Sequence, residues 1–129
     1  MALSIAQVSV IIFGGGLGAL ARFLLSTKIT EKLGSDFPYG TLTVNVLGSF
    51  VMGFLAILLV ERMELDPLLR LGIFVGFLGA FTTFSTFSME TMNLLVQGLH
   101  LRALLNMFVS VTLSVLAVWL GFIIGKIIS

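Results

Sequence analysis

The sequence predicts an all-α membrane protein of four transmembrane helices, the third of which is broken near the middle of the membrane. The first observation is composition: 58% of the 129 residues are hydrophobic and 10% are charged, whereas about a quarter of the residues in soluble domains are charged. The second is length, since a membrane-spanning helix needs about 20 mainly apolar residues. The third is a polar interruption inside a long apolar segment. We therefore expect a single four-span domain over residues 1–129.

The same composition excludes several classes of function. Four spans leave only short connections and no room for a soluble catalytic domain. The sequence shows no nucleophile-and-base pair or metal-ligand set, so an enzyme is not expected. The absence of cysteine excludes disulfides and thiolate metal sites. A net charge of +1 argues against a nucleic-acid partner.

The first span is predicted at about residues 3–26. Gly14 and Gly18 form a small-xxx-small pair, which lets two helix backbones approach closely. Arg22 lies one step further along the same stripe, near the membrane boundary. It is either an arginine that snorkels to the interface or one held at the mouth of an anion path. The apolar run has no basic region before it, so we interpret it as a retained span rather than a signal peptide.

The second span, predicted at about residues 41–60, carries a polar stripe. Thr41, Asn45 and Ser49 are spaced i, i+4 and i+8, which puts them on one face of a helix. A single asparagine in a membrane can serve as interhelical glue worth about 1 kcal/mol. A whole stripe is more than that role needs, so the pattern favours a pore lining.

The third span, predicted at about residues 68–96, is too long for a simple crossing at about 1.5 Å of rise per residue. Residues 79–90 contain five hydroxyl side chains, three phenylalanines and a carboxylate. Polar groups without partners cost free energy in hydrocarbon, so this segment is not ordinary lipid-facing helix. The extra length and the glycines that precede it predict a discontinuous helix, in which unwound carbonyls can meet ions.

The fourth span, predicted at about residues 101–128, repeats the spacing of the second. Asn106, Ser110 and Ser114 again fall at i, i+4 and i+8. A single serine can simply bond to the preceding turn of its own helix. Two stripes of equal spacing beside a broken span make that interpretation less attractive.

The basic residues at the span ends give no orientation signal. With both termini inside, three basic residues fall on that side and four on the other, so the positive-inside rule does not decide. A chain of this kind can insert both ways, and two opposite copies can pair about an axis in the membrane plane. An antiparallel homodimer is therefore a hypothesis that rests on this count. The two sets are Arg62, Arg70 and Lys126, against Arg22, Lys28, Lys32 and Arg102.

The side chains favour an ion channel for a small anion. Hydrogen-bond donors dominate the stripes, and the paired carboxylates of a cation-selective ring are missing. Phe84 and Phe87 are three residues apart, so both rings can point to one side of a helix. A phenyl edge carries positive potential, which suits a hard anion that exchanges its hydration shell for several weak contacts. The alternative role for both rings is ordinary side-chain packing.

Two other functions compete with the channel. The first is a small four-helix proton-coupled drug exporter, in which Glu90 would exchange the proton. Glu90 comes late in the third span, whereas such an exporter needs an acid in a central aromatic chamber. The second is a structural or assembly protein, which would leave both polar stripes unexplained.

Three motifs, in the right order, carry a resemblance to a known family. They are Gly-Gly-Leu-Gly-Ala-Leu-Ala-Arg at 15–22, Pro-Tyr-Gly-Thr-Leu-Thr-Val-Asn at 38–45, and Gly-Phe-Leu-Gly at 76–79 with Thr-Thr-Phe-Ser-Thr-Phe-Ser-Met-Glu at 82–90. Over essentially its full length the chain closely resembles the Fluc (CrcB) fluoride channels of microbes. The resemblance implies a passive, fluoride-selective channel in the cell membrane (the inner membrane in a Gram-negative bacterium) that lowers cytoplasmic fluoride. It also implies an antiparallel, dual-topology homodimer with two pores.

The resemblance implies roles for individual residues. Asn45 matches the pore-lining asparagine of the second span, and Phe84 and Phe87 match paired phenylalanines whose edges face the fluoride path. Arg22 matches an arginine near the pore vestibule. The other positions that the resemblance associates with the pore are Thr41, Ser85, Thr86, Glu90, Ser110 and Ser114.

The resemblance also implies a structural sodium ion at the dimer interface. The backbone carbonyls of Gly79 and Thr82, from both subunits, match those that hold it. Ala80 stands where a second glycine is common in the family, which should change packing more than function because the carbonyls remain. Asn106 takes a position that varies in the family, so the resemblance assigns it no pore role.

Overall fold

The computed structural model describes residues 2–129 and is helical apart from short connections. Four helical segments of the described chain are long and apolar enough to cross a membrane, which confirms the predicted four-span, all-α architecture. We name them in chain order the first span, Ile5–Leu33, the second, Tyr39–Arg62, the third, Pro67–Val96, and the fourth, His100–Ile128.

The first span begins at a capping box. The Ser4 hydroxyl accepts from the Gln7 amide at 3.1 Å, and the Gln7 side chain accepts from the Ser4 amide at 2.9 Å. This arrangement satisfies amides that have no partner inside the helix. The helix continues past its apolar segment through good helix formers, lysine and glutamate. It ends before Gly34, whose φ of 85° is a conformation that glycine adopts without strain.

The second span changes helix type near its end, and the third span is interrupted. The second is α-helical over Tyr39–Leu55 and π-helical over Ala56–Arg62. The third has an N-terminal half, residues 67–81, and a C-terminal half, Phe84–Val96. Thr82 and Thr83 between them are extended, so the break lies where the sequence predicts one. The N-terminal half consists of Pro67–Arg70 (α-helical), Leu71–Leu78 (π-helical) and Gly79–Phe81 (α-helical).

Glycines bring the spans together in two close pairs. The first span packs on the N-terminal half of the third, and the second span packs on the fourth. A Cβ added at Gly18 would collide with the backbone of Phe77, and one added at Gly121 would collide with the backbone of Phe50. The close approach predicted for the glycine face of the first span is therefore confirmed. As a result, the second span, the fourth span and the C-terminal half of the third span surround one common space.

The distribution of side chains suits a lipid environment. Large apolar side chains such as Phe13, Phe108 and Trp119 are exposed on the outer surface of the chain. The buried set, by contrast, includes Thr41, Thr91, Asn106 and Ser110. Polar groups inside and apolar groups outside are the expected arrangement where the surrounding solvent is hydrocarbon.

Candidate functional site

The break in the third span is held open by Asn45 of the second span. Thr82 has φ −90° and ψ 157°, and Thr83 has φ −150° and ψ 120°, so both are extended. The Thr83 amide donates to Asn45 Oδ1 at 2.7 Å, and Asn45 Nδ2 donates to the Thr83 carbonyl at 3.0 Å. The asparagine side chain thus pairs with both backbone groups of one residue, as a residue of a neighbouring strand would. Both polar groups of Thr83 are satisfied at a depth where unpaired backbone is costly.

The hydroxyl of Thr83 starts the helix after the break. Thr83 Oγ1 accepts from the Thr86 amide at 3.2 Å and donates to Thr86 Oγ1 at 3.0 Å. A threonine in an extended conformation with this amide contact is an N-cap. The cap explains why helical geometry resumes at Phe84.

The same bonds release two backbone carbonyls at the break. In an α-helix each carbonyl accepts from the amide four residues later. The Thr83 amide, which would serve the Gly79 carbonyl, goes to Asn45 instead. The Thr86 amide, which would serve the Thr82 carbonyl, goes to Thr83 Oγ1. The carbonyls of Gly79 and Thr82 are therefore free of their helical bonds and available to another donor or to a cation.

Arg22 of the first span lies against the break. Its Nε donates to the Ala80 carbonyl at 2.9 Å, and the side chain is half-buried. The helical partner of that carbonyl would be the amide of Phe84, on the far side of the break. Arg22 therefore supplies a charge-assisted bond to a carbonyl that the break would otherwise leave unpaired.

A cavity of about 350 Å³ brings two residues of each predicted polar stripe together with the phenylalanine pair. It lies between the second span, the break with the helix that follows it, and the fourth span. Every side chain around it is neutral. Among its lining residues are Asn45 and Ser49, Thr82 and Thr83, Phe84 and Phe87, and Ser110 and Ser114.

The two phenylalanines contribute to this cavity from different depths. Their ring centroids are 5.4 Å apart and the ring planes are inclined by 43°. Phe87 is 7% exposed and belongs to the core, whereas Phe84 is 75% exposed and projects from the chain. Packing within the chain therefore fixes the Phe87 ring, whereas the Phe84 ring is available for contacts outside the chain.

The fourth-span stripe has its own hydrogen bonds. Ser110 Oγ donates to Asn106 Oδ1 at 3.0 Å, and Asn106 Nδ2 donates to Thr91 Oγ1 at 2.9 Å. Thr91 Oγ1 donates to the Phe87 carbonyl at 2.8 Å. Throughout residues 2–129 every fully buried side-chain nitrogen or oxygen has a partner. Thr91 is not predicted as a site residue from the sequence, where its only signal is a hydroxyl one helical turn after Phe87.

Thr41 and Glu90 meet away from this cavity. Thr41 Oγ1 donates to Glu90 Oε1. Glu90 also lines a second cavity of about 210 Å³ together with Asn93 and Gln97. The other side of that cavity is formed by Thr30 and by residues of the connection between the first and second spans, so Glu90 lies toward one end of the chain's helices. The additional lining residues are Thr30, Ser35, Phe37, Pro38 and Leu94.

The predicted site residues thus divide into groups. One cavity joins the asparagine, the phenylalanine pair and the two serines, with Gly79 and Thr82 at the adjoining break. Thr86 supports the cap of the helix after the break. Ser85 is exposed on the outer surface. Thr41, Glu90 and Arg22 lie outside the lining of the first cavity.

Comparison with known proteins assigns the family. The model of the family described as CrcB-like protein, Camphor Resistance (CrcB), matches residues 9–122. The chain is 50% identical over 122 residues to the fluoride-specific ion channel FluC of Magnetococcus marinus, covering 95% of this chain and 99% of the relative. It is 48% identical over 120 residues to FluC of Hydrogenovibrio crunogenus, covering 93% and 91%.

A third relative is longer than this chain. FluC of Methylococcus capsulatus is 50% identical over 116 residues, which cover 90% of this chain and 51% of the relative. The three named relatives are ion channels rather than enzymes. Since the family model spans the break, both stripes and all four helices, the chain belongs to the CrcB family of membrane proteins.

Proposed function

We propose that this chain is a fluoride-selective ion channel, which lets fluoride leave the cell passively and so lowers cytoplasmic fluoride. The observation that carries the proposal is the cavity in which Asn45, Phe84, Phe87, Ser110 and Ser114 come together. The relatives at about half identity are named as fluoride-specific channels, which supports the same ion.

The chemistry of the cavity suits an anion that has to pass through. Its lining offers hydroxyl and amide groups and aromatic rings, and no carboxylate or basic side chain. Hydroxyl donors and positive ring edges stabilise a small anion by several weak contacts. A full charge in the lining would either repel the anion or hold it, whereas conduction needs binding weak enough for release.

We propose that two copies assemble as an antiparallel, dual-topology dimer with two pores. Gly79, Phe84 and Ser85 are exposed on the single chain, at or beside broken backbone. Irregular backbone at membrane depth has to be buried in protein or line a cavity, and a second copy would provide that cover. The near-equal basic residues at the two sets of span ends support opposite insertion.

We propose that the carbonyls of Gly79 and Thr82, from both copies, hold a structural sodium ion at the dimer interface. Both carbonyls have lost their helical donors, and neutral oxygen ligands suit a hard cation. When bound, the ion would supply positive charge that compensates the partial negative charges gathered at the break. Asn45 and Arg22 would support this arrangement by pairing with the backbone groups on either side.

Ion efflux from liposomes that hold the purified protein tests the function. Fluoride is expected to leave rapidly under an outward gradient, and chloride to be retained. Equal efflux of the two anions would contradict a fluoride-selective channel. Uptake of an aromatic cation driven by a pH gradient would favour the exporter instead.

Insertion of single cysteines tests the dimer, because the native chain has no cysteine. Met63, which is 60% exposed in the connection between the second and third spans, is a suitable position. A Met63→Cys variant in sealed vesicles is expected to react with a membrane-impermeant thiol reagent from both sides. Labelling from one side alone would contradict dual topology while leaving the ion selectivity untouched.

A further inference from the structure

Three consecutive hydrogen bonds connect the cavity with the backbone of the third span. They run from the Ser110 hydroxyl through the Asn106 amide and the Thr91 hydroxyl to the Phe87 carbonyl. The residues at both ends of this series of hydrogen bonds, Ser110 and Phe87, line the cavity. Asn106 is 1% exposed and Thr91 is 6% exposed, so water cannot readily replace the bonds between them.

Thr91 fixes the donor-to-acceptor direction of these hydrogen bonds. A hydroxyl has one proton, and that of Thr91 goes to the Phe87 carbonyl. Toward Asn106 the Thr91 oxygen can therefore only accept, so Asn106 must present Nδ2 to Thr91 and Oδ1 to Ser110. Ser110 then gives its only proton to Asn106 and leaves only lone pairs for the cavity.

Ser110 differs in this respect from the other serines of the cavity. Ser49 and Ser114 also line it, and neither hydroxyl has a hydrogen-bond partner within the part of the chain that the structure describes, residues 2–129. Their protons are free to rotate toward an anion. Ser110 can donate to an anion only if it leaves Asn106 Oδ1 without a donor in a buried place, where an unpaired acceptor is costly, or if the Asn106 amide reverses.

We propose that Asn106, held by Thr91, is a positioning residue that withholds the Ser110 proton from the cavity and so weakens anion binding at Ser110. This inference deepens the proposed channel function and rests on it. An anion at Ser110 has to compete with Asn106 for a proton. A site weakened in this way releases its ion readily, which conduction requires.

The substitution Thr91→Val tests the inference, because it removes the hydroxyl and nearly keeps the shape. Asn106 can then turn Nδ2 toward Ser110, whose proton becomes free for the anion. The fluoride concentration at half-maximal flux is expected to fall roughly 2- to 10-fold, the ratio that corresponds to one neutral hydrogen bond. Thr91→Ser keeps the hydroxyl and should restore the wild-type value.

A matched control removes the same local bond elsewhere. Thr43 Oγ1 donates to the carbonyl four residues earlier, that of Tyr39, at 2.8 Å, and within residues 2–129 it makes no hydrogen bond with an asparagine. Thr43→Val should therefore leave the half-maximal fluoride concentration unchanged. A shift as large as that of Thr91→Val would show that losing such a bond in any span has this effect, which would overturn the inference.

A double substitution separates the route through Ser110 from a general change in packing. In a Ser110→Ala background, Thr91→Val is expected to have no further effect on the half-maximal concentration. A full remaining effect there, or no effect of Thr91→Val alone, would overturn the inference. If Thr91→Val does not fold, Asn106→Leu replaces it with the same expected direction, because the competitor for the Ser110 proton is removed.

A spectroscopic measurement tests the hydrogen bonds of Asn106 independently of fluoride flux. The chain has three asparagines, so selective ¹⁵N labelling resolves the side-chain amide signals of each. The Asn106 signals are expected to move in Thr91→Val and to stay in place in Thr91→Ser, while those of Asn45 stay in place in both. An Asn106 signal that does not move in Thr91→Val would overturn this inference but not the proposed channel function. Absence of fluoride flux in the wild type would instead contradict the proposed function, and the Asn106 signals would still test the bonding.

Discussion

The second and fourth spans carry polar stripes of the same spacing, yet their asparagines bond to different kinds of partner. Asn45 pairs with both backbone groups of Thr83, whereas Asn106 bonds to the side chains of Thr91 and Ser110. The difference comes from what each span faces. Opposite the second span the backbone is broken and has unpaired groups to offer. Opposite Asn106 the third span is a regular helix, so only side chains are available.

Asparagines in two similar stripes therefore serve different purposes: Asn45 lines the cavity, whereas Asn106 lies behind the lining and bonds to Ser110. Asn45 makes a broken backbone tolerable in the membrane, and its loss should affect structure and transport together. Asn106 arranges a proton between hydroxyl groups, and its loss should affect transport with less cost to stability. Substitutions at both asparagines and at other residues of the cavity test this contrast.

Asn45→Leu is expected to have the largest effect. It leaves the amide and the carbonyl of Thr83 without partners at a cost of about 1–3 kcal/mol for each group, so the free energy of unfolding should fall by several kcal/mol. Fluoride flux should be lost with it. Denaturation in detergent and liposome efflux measure the two effects. Unchanged stability would contradict the role of Asn45 in supporting the break.

Phe84→Ile should lower fluoride flux about fivefold, if the ring edge contributes about 1 kcal/mol to the passing anion. Its stability should stay close to that of the wild type, because Phe84 is 75% exposed on the single chain. Phe87→Ile should lower flux similarly but also reduce stability, since Phe87 is buried. Normal flux in both variants, measured on protein that elutes at the same size as the wild type, would show that the rings serve packing alone.

Asn106→Leu sharpens the contrast directly. Its expected loss of stability is about 1 kcal/mol, less than that of Asn45→Leu, because Thr91 keeps its bond to the Phe87 carbonyl and no backbone group loses a partner. Equilibrium unfolding of the two variants under the same conditions gives the comparison. Equal losses would mean that the two asparagines hold the fold in equivalent ways.

Ser114→Ala is expected to have the smallest effect on stability, within about 0.5 kcal/mol. The hydroxyl lines the cavity and has no hydrogen-bond partner within residues 2–129, so no bond in the chain is lost. A decrease in fluoride flux of a few-fold should accompany it, if the hydroxyl donates to the ion. A large loss of stability would contradict this assignment, because it would mean that the hydroxyl makes a stabilising bond.

Much of the fold follows from composition and periodicity. Four apolar segments of sufficient length dictate four helices in a membrane, and glycines at i, i+4 dictate a face that packs closely. The polar composition of residues 79–90 predicts the break, and equal spacing predicts that each stripe occupies one face. These properties are local to one helix, so they need no knowledge of its neighbours.

The pairing of groups across spans was decided by the tertiary structure. The sequence alone does not indicate that Arg22 bonds to the Ala80 carbonyl, that Asn45 takes both groups of Thr83, or that Thr91 orients Asn106. Helical periodicity defines which residues share a face, but the rotation of each helix and the identity of its neighbour determine what that face meets. Here the close glycine contacts fix which spans lie side by side, and the bonds made across them determine which polar groups around the cavity can still donate.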